Sequence, residues 1–407
     1  MTSVEGQLPA AAPKRLPPFL HTRIGGLPRA FWALWAGSFV NRLGTMVEPF
    51  LAFYLTGVRG LSVTETGLVL ALFGLGSVLS QITGGVLADR VGRRATLAGG
   101  MVTTAAAMLA LGYATSVAMV VGVVFVLGIA IDVYRPAAQA LVADLVPRAE
   151  RARAYGLLFW AINLGFAVAM ILGGTLARLG FTWLFWVDAA TCVVFAVLVW
   201  RAVPETRVRH AAREPGGFRD VLRDRLAVGS VLIVLGYAFV YLQAYSTLPL
   251  AMRRAGLPPS AYGFAMAVNG IGIVVFQPLV VAWLNRRDHS TVLAGGMVVV
   301  GAGFGLTAWA GSAPAFAAAV FVWTLGEILF AAVSSSIIAD LAPPHLRGRY
   351  GGLYGTAFSV AALLGPPVGA RLLATAAWLP WLTCAALCAT AACGALALGP
   401  AVRRRRA

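Results

Sequence analysis

The sequence predicts an all-α integral membrane protein of twelve transmembrane helices, arranged as two six-helix bundles related by pseudo-symmetry. Three observations predict this class: the composition, the number of long apolar segments, and a repeat that relates the two halves. The chain has 407 residues, of which 59% are hydrophobic and 12% charged, whereas soluble domains have about 25% charged residues. The hydrophobic fraction is about 240 residues, which matches twelve spans of about 20 residues. A soluble protein is therefore excluded.

Turn-forming residues separate the apolar segments, for example at Pro147 and at Pro258–Pro259. The predicted spans are 31–57, 62–88, 95–113, 117–146, 151–177, 181–200, 226–252, 259–284, 291–310, 314–341, 350–374 and 378–398. They predict five regions: an N-terminal tail (1–28), a first bundle (29–200), a central loop (201–225), a second bundle (226–398) and a basic C-terminal tail (399–407).

The basic residues predict the orientation of the spans. If the N-terminus is cytoplasmic, 25 of the 32 basic residues lie in cytoplasmic segments and five on the opposite side. Because basic loops favour the cytoplasm, both termini are expected to be cytoplasmic, in a bacterial inner membrane. The net charge of +17 is spread over these short loops, and for that reason we do not expect nucleic acid as a partner.

An internal repeat at an offset of 196 residues relates the two halves. Leu97–Val102 recurs as Leu293–Val298, and Ala143–Leu145 recurs as Ala339–Leu341. Six spans in each half place the halves in parallel orientation, related by an axis along the membrane normal. Such repeats place the solute site at the interface between the halves.

The loop after the second span reads Gly-Gly-Val-Leu-Ala-Asp-Arg-Val-Gly-Arg-Arg over residues 84–94. It resembles the G-x-L-A-D-R-x-G-R-R signature of the major facilitator superfamily, and the drug/proton-antiporter branch is the most similar. The matching residues, which form the predicted cytoplasmic gate motif, are Gly85, Asp89, Arg90, Gly92, Arg93 and Arg94.

The resemblance implies the major facilitator fold and a role for this loop. It places Asp89 opposite Gly351–Gly352, at the start of span eleven, where it latches the two halves on the cytoplasmic side. Gly85 and Gly92 allow a tight turn and close helix approach. The alternative is that the three loop arginines only set the topology.

Ionisable residues within spans are costly and are functional candidates. The proton-coupling candidates, in order, are Glu327 (span ten), Glu48 (span one) and Asp132 (span four). Glu327 ranks first because no other charged residue lies in the middle of its span. Two alternatives remain: a static hydrogen bond from Glu327 to a neighbouring helix, and a permanent ion pair between Asp132 and Arg135.

The resemblance implies that spans one, four, seven and ten line a central cavity. Helical spacing places Asn41 and Glu48 on one face of span one. It places Asp132, Arg135 and Gln139 on one face of span four. A tyrosine stripe in span seven suits flat or cationic molecules, with ordinary helix packing as the alternative. The substrate-cavity candidates are Asn41, Arg42, Arg135, Gln139, Tyr237, Tyr241 and Tyr245.

Two acidic residues recur at the cytoplasmic helix ends of both halves, each close to two arginines. They predict symmetric structural or gate ion pairs, formed by Asp144 with Arg151 and Arg153, and by Asp340 with Arg347 and Arg349. The four cysteines lack zinc-site spacing, so we predict no metal site.

These features predict a secondary active transporter that exports small amphipathic or hydrophobic compounds, such as drugs or natural products, by proton-coupled alternating access. The alternatives are import of a small metabolite by the same fold, or a membrane receptor that does not transport. No catalytic constellation is present, and no G-x-x-x-x-G-K-[ST] loop for ATP, so we expect neither an enzyme nor a cofactor beyond the proton gradient. The expected partners are a small-molecule substrate, protons and the lipid bilayer, and the expected state is a monomer.

Overall fold

Long apolar helices make up most of the chain in the computed structural model, which describes residues 26–133, 138, 141–142, 144–147, 150–205, 218–284, 287–343 and 346–406. The first half contains α1 (Arg29–Gly44), α2 (Val47–Gly57), α3 (Val63–Arg90), α4 (Arg93–Gly112), α5 (Val117–Asp132), α6 (Arg151–Leu179) and α7 (Phe181–Ala202). The second half contains α8 (Phe218–Arg223), α9 (Arg225–Arg254), α10 (Pro259–Leu284), α11 (His289–Leu306), α12 (Ala313–Leu341), α13 (Arg347–Thr375) and α14 (Leu379–Arg406).

The all-α membrane class is confirmed. Over the described ranges, ten helices are long and apolar enough to cross a membrane. Span one is divided between α1 and α2, and span four is described mainly by α5. The last helix continues to Arg406, so the basic segment predicted as a separate tail is part of α14.

Span one differs from the prediction because it is broken between Gly44 and Val47. Pro49 has no backbone N–H, and its ring excludes the carbonyl of Thr45 four residues before it. Prolines within α9, α10, α13 and α14 do not end those helices. At the break in span one, a side chain from another helix also contributes: the backbone N–H of Val47 donates to the Asp188 carboxylate at 3.3 Å.

The helix bounds repeat at the offset found in the sequence. Helix α6 (Arg151–Leu179) shifted by 196 residues gives the bounds of α13 (Arg347–Thr375). The two halves meet mainly where α3 packs on α13 and where α6 packs on α10, with a smaller contact between α2 and α9. The 196-residue repeat relates α3 to α10 and α6 to α13, so the first two contacts are equivalent to each other.

Glycines bring these helix pairs into close contact. On α3, Gly67 faces Ala370 and Pro366, and Gly74 faces the carbonyl of Ala362. On α10, the residues at the repeat offset do the same against α6: Gly263 faces Met170 and Gly174, and Gly270 faces Ala167 and Asn163. Apart from the Asn163 contact, which lies near the middle of α6, these contacts lie in the halves of the helices away from both chain ends, which we call the far side.

The opposite side carries residue 26 and the end of α14, and we call it the terminal side. On this side the first turns of α6 and α13 are unpacked at Gly156, Gly351 and Gly352, which are exposed. No described atom lies within 4 Å of a Cβ placed at any of the three. The halves are therefore closed together on the far side, and on the terminal side these three glycines make no such contact with the described residues.

Candidate functional site

Glu327 lies half-buried on α12, facing the neighbouring helix α10. The buried amide of Asn269 on α10 donates to Glu327 Oε2 at 2.6 Å and to the Thr324 hydroxyl at 3.0 Å. Both N–H groups of that amide are therefore used. The static hydrogen bond considered from the sequence is present. In the described part of the chain, Glu327 forms no ion pair.

The tyrosine stripe of α9 forms a continuous row of rings. Tyr237 stacks on Phe330 with ring centroids 3.5 Å apart, and Tyr241 follows at 5.8 Å from Tyr237. The hydroxyls of Tyr241 and Tyr245 are hydrogen-bonded at 2.9 Å. The stripe thus joins the α12 helix, which carries Glu327, to the interface between the halves.

The row crosses to the first half at Phe166 of α6. Tyr245 packs edge-on against Phe166 at 6.2 Å, and the Arg42 guanidinium lies 5.3 Å from the same ring. The buried Nε of Arg42 has no hydrogen-bond partner among the described residues. An aromatic wall therefore runs between a carboxylate on one side and a cation on the other.

Polar residues of the first half surround a cavity of about 10 Å³, the size of one water molecule. Asn41, Arg42 and Glu48 line it from span one. We grouped Asn41 and Glu48 by helical spacing, but that reason is wrong, because the helix is broken between them. They are brought together by the geometry of the break instead.

Asp188 of α7, which we had assigned no role, is the centre of this cluster. Its side chain is 2% exposed, and it receives the Val47 N–H bond at the N-terminus of α2. Cys192 donates to Asp188 Oδ1 at 3.7 Å, and the Asn41 amide donates to Cys192 Sγ at 3.3 Å. A polar residue in an otherwise apolar span was the only sequence signal for it.

Three other predicted residues cannot be placed at this site. Arg135 and Gln139 lie outside the described residues, and so does the side chain of Asp132, although its backbone ends α5. The proposed ion pair between Asp132 and Arg135 therefore stays a prediction.

The signature loop is held by a residue that we did not single out, Glu205. Gly92 begins α4 with φ of 113°, a conformation that favours glycine. It has no side chain to cap the helix, and Glu205 accepts hydrogen bonds from the N–H groups of Arg94 at 3.0 Å and Ala95 at 3.2 Å. In the second half Asp288, at the repeat position of Gly92, caps α11 with its own side chain.

The gate arginines are also placed differently from the prediction. Asp144 forms its ion pair with Arg93 of the signature loop, not with the arginines at the start of α6. Arg153 pairs with Glu150 at 3.1 Å, and Arg151 Nε donates to the Val146 carbonyl at 3.2 Å.

The remaining gate residues are described only in part. Arg90 is exposed at the end of α3, whereas the surroundings of Gly85 and the side chain of Asp89 lie outside the described residues. The side chain of Arg347 is also outside them, so the pairing of Asp340 with Arg347 and Arg349 stays a prediction. The expected target of Asp89, Gly351–Gly352, is exposed, and the latch between them stays a prediction.

Two arginines near the end of α14 form ion pairs with the aspartates that cap α9 and α11. Arg403 pairs with Asp288 at 3.0 Å, and Arg405 pairs with Asp224 at 2.7 Å. Burial opposes ionisation of Asp224, but hydrogen bonds from Tyr350, the Ala227 N–H and Arg405 together lower its pKa. A carboxyl whose pKa is lowered by folding stabilises the fold above its unfolded pKa, and this stabilisation is lost as the pH falls.

Replacing Arg405 by glutamine is therefore expected to destabilise the protein near neutral pH only. An exposed pair contributes up to about 1 kcal/mol, which corresponds to a decrease of roughly 1–4 °C in the apparent melting temperature. The difference from the wild type should shrink as the pH falls through the lowered pKa of folded Asp224 and vanish below it, where the carboxyl is neutral. The adjacent Arg404, which is exposed, is the control: R404Q should match the wild type throughout. An R405Q difference that persists in acid would contradict the assignment.

Comparisons with known proteins fit this architecture. The model of the Major Facilitator Superfamily matches residues 34–259 and again residues 235–407. The MFS-type transporter YttB of Bacillus subtilis is 28% identical over 357 residues, covering 85% of this chain and 89% of YttB. The multidrug resistance protein MdtH of Aeromonas hydrophila is 26% identical over 365 residues, covering 86% of this chain and 90% of MdtH. A crystal structure of the peptide transporter POT with sulfate superposes with a TM-score of 0.78 at 16% identity, covering 94% and 96% of the two chains.

Proposed function

Because this chain belongs to the major facilitator superfamily, we propose that it is a proton-coupled exporter of small amphipathic compounds, preferably cations, that works by alternating access. The observation that carries the proposal is Glu327: a half-buried carboxylate, bound to the Asn269 amide at 2.6 Å and close to a row of aromatic rings. With no ion pair among the described residues, this carboxylate has its charge available for a proton or for a cationic substrate.

The substrate class follows from the wall beside this carboxylate. Tyr241 and Tyr245 are half-buried, and aromatic rings attract cations and flat apolar bodies. Tyr237 and Phe330 are stacked and buried behind them. A sugar needs many hydrogen-bond partners, and this wall offers mainly the two linked hydroxyls of Tyr241 and Tyr245. The printed name of the relative MdtH, a multidrug resistance protein, supports the same class.

Coupling follows if the proton and the substrate compete for Glu327. An ionised carboxylate attracts a cationic substrate, whereas a protonated one does not, so binding of one releases the other. Glu48, which lines the cavity of the first half, is the second candidate. Export then uses protons that enter from the far side and leave on the terminal side.

We assign the terminal side to the cytoplasm of a bacterial inner membrane. The basic segments at the helix ends support this orientation, and both chain ends are then cytoplasmic. In this orientation, loading uses a state that is open on the terminal side, in which a compound from the cytoplasm reaches the aromatic row. The exposed Gly351 and Gly352 correspond to an open latch.

Transport in proteoliposomes tests the proposal. With an imposed proton gradient, a lipophilic cation such as tetraphenylphosphonium should move against the proton flow, and E327Q should reduce this exchange at least about tenfold, because it removes the proton-binding group. The control is E65Q: Glu65 lies on the far side in a capping box with Ser62, which glutamine also satisfies, so transport should be unchanged.

Three outcomes would contradict the proposal in different ways. Exchange that survives in E327Q would remove Glu327 from coupling. Movement of the compound without protons would leave a transporter that is not driven by protons. Uptake of a compound together with protons would replace export by import.

A further inference from the structure

Asp188 is a buried carboxylate that the proposed export mechanism does not use. It lies on α7 with 2% of its side chain exposed. Its two oxygens have different partners: Oδ2 accepts from the Val47 N–H at 3.3 Å, and Oδ1 accepts from Cys192 at 3.7 Å. The first of these contacts joins span six to the break in span one.

The helix that Asp188 holds, α2, is the part of span one that contacts the second half. Phe50 packs edge-on against Tyr262 of α10 with centroids 5.4 Å apart, and Phe53 packs on the same ring at 5.8 Å. The Tyr262 hydroxyl donates to the Ala244 carbonyl of α9 at 3.0 Å. Tyr262 is fully buried, so the position of α2 is part of the far-side closure.

The break makes α2 a short segment whose helix is not continuous with α1. It has eleven residues, and Met46 at its N-terminus provides no side-chain cap. A negative charge at this position stabilises a helix through its dipole, and the stabilisation is larger where the site is partly buried. Ionised Asp188 supplies that charge from another helix, so its charge state bears directly on how α2 is held.

Few charged groups face Asp188. Arg42 of α1 and Glu48 of α2 line the same cavity, and the Cys192 thiol is one turn away on α7 itself. Helix α4 contributes Thr104 and Met101, α5 contributes Ile131, and α6 contributes no described lining residue. The side chain of Asp132 is outside the described part of the chain. Glu48 is thus the other carboxylate described at this cavity.

We propose that Asp188 is a second proton-carrying carboxylate, and that its protonation loosens α2 and favours opening of the far side. The proposal rests on the proposed proton coupling, and it adds the device that links a proton to the gate. A proton from the cavity, passed by way of Glu48, binds Asp188 Oδ2. The neutral carboxyl is a weaker acceptor than the carboxylate and no longer places a negative charge at the N-terminus of α2, so the hold on Val47 weakens; loss of the same proton restores it.

By linkage, a group whose protonation favours an open far side binds its proton more tightly in that open state. The described structure has a closed far side and the Val47 bond intact, which corresponds to ionised Asp188. Asp188 therefore takes up its proton in the state with an open far side, the side from which the gradient supplies protons, and releases it when the far side closes.

The test measures the far-side opening without substrate and without a gradient. Spin labels are placed on cysteines at Val58, the exposed end of α2, and at Trp309, exposed beyond α11, after the exposed Cys393 is replaced by alanine. In nanodiscs, the long-distance population should increase at least about threefold between roughly pH 8 and pH 5. D188N should lose this pH response and keep the distribution that the wild type has in acid, and the E65Q control should behave as the wild type.

A pH response that persists in D188N, or its absence from the wild type, would overturn the proposal. If D188N does not fold, C192A tests it instead: removing a donor to the ionised carboxylate should move the midpoint to higher pH, and an unchanged midpoint would count against Asp188. Because the assay contains no substrate, its result is independent of whether Glu327 exchanges protons for a compound.

Discussion

Replacing Gly263 by leucine is expected to abolish transport while the protein still folds. A Cβ at this position would meet the Met170 carbonyl and come within 3.2 Å of the Gly174 Cα, and backbone atoms of a packed helix cannot give way cheaply. Overpacking of this kind costs about 3 kcal/mol, which displaces an equilibrium roughly 100-fold. Separation of the halves on the far side relieves the clash, so the variant should be trapped in that state.

The reaction of an introduced cysteine measures this trapping. Ala267 lies between Gly263 and Gly270 on α10 and is 2% exposed. A cysteine at Ala267 should react slowly with a polar maleimide in the wild-type background and at least about tenfold faster with Gly263→Leu. Gly295→Leu is the control, because no described atom lies within 4 Å of its Cβ. Slow labelling together with full transport in Gly263→Leu would contradict the role of the glycine contacts.

Replacing Gly92 by valine is expected to give the largest loss of stability in the first half. The backbone at φ of 113° is strained for any L side chain, at about 1–3 kcal/mol. The new Cβ would also lie 2.5 Å from the Glu205 carboxyl carbon, displacing the acceptor of two backbone N–H groups. Hydrogen bonds to a charged group contribute about 1.5–3 kcal/mol each, so the total loss should be roughly 4 kcal/mol or more.

The apparent melting temperature and the monodisperse fraction check this expectation. Gly99→Ala is the matched control in the same helix, since its Cβ would have open space and alanine favours helix; it should be neutral or stabilising. E205Q should lie between the two, because glutamine still accepts a hydrogen bond but carries no charge. A Gly92→Val protein as stable as the wild type would show that Glu205 does not hold this loop.

The topology was predictable because hydropathy and the repeat are local or periodic signals. Twelve apolar segments and a constant offset suffice to place the helices, and α6 and α13 follow that offset residue for residue. The glycine contacts were also within reach: Gly67 and Gly74 recur at the same offset as Gly263 and Gly270. Their role as close contacts needed the structure, which identifies the helix that each one faces.

The polar contacts were less predictable, because they join residues far apart in the chain. Glu205 caps a helix that begins more than a hundred residues earlier, and no local pattern marks it as the partner of Gly92. Asp188 depends on the break in span one, and Pro49 alone did not indicate that break, since prolines inside four other helices leave them continuous. Asp144 was paired with the nearest arginines in sequence, whereas its structural partner is Arg93.

The central claim is that a proton and a substrate compete at Glu327, and proton release by the purified protein tests it most directly. Tetraphenylphosphonium is added to weakly buffered protein in detergent, and the pH change is recorded with an indicator dye. The account predicts release of protons by the wild type and by E65Q, and no release by E327Q. Binding of the cation without proton release, or equal release from E327Q, would contradict it.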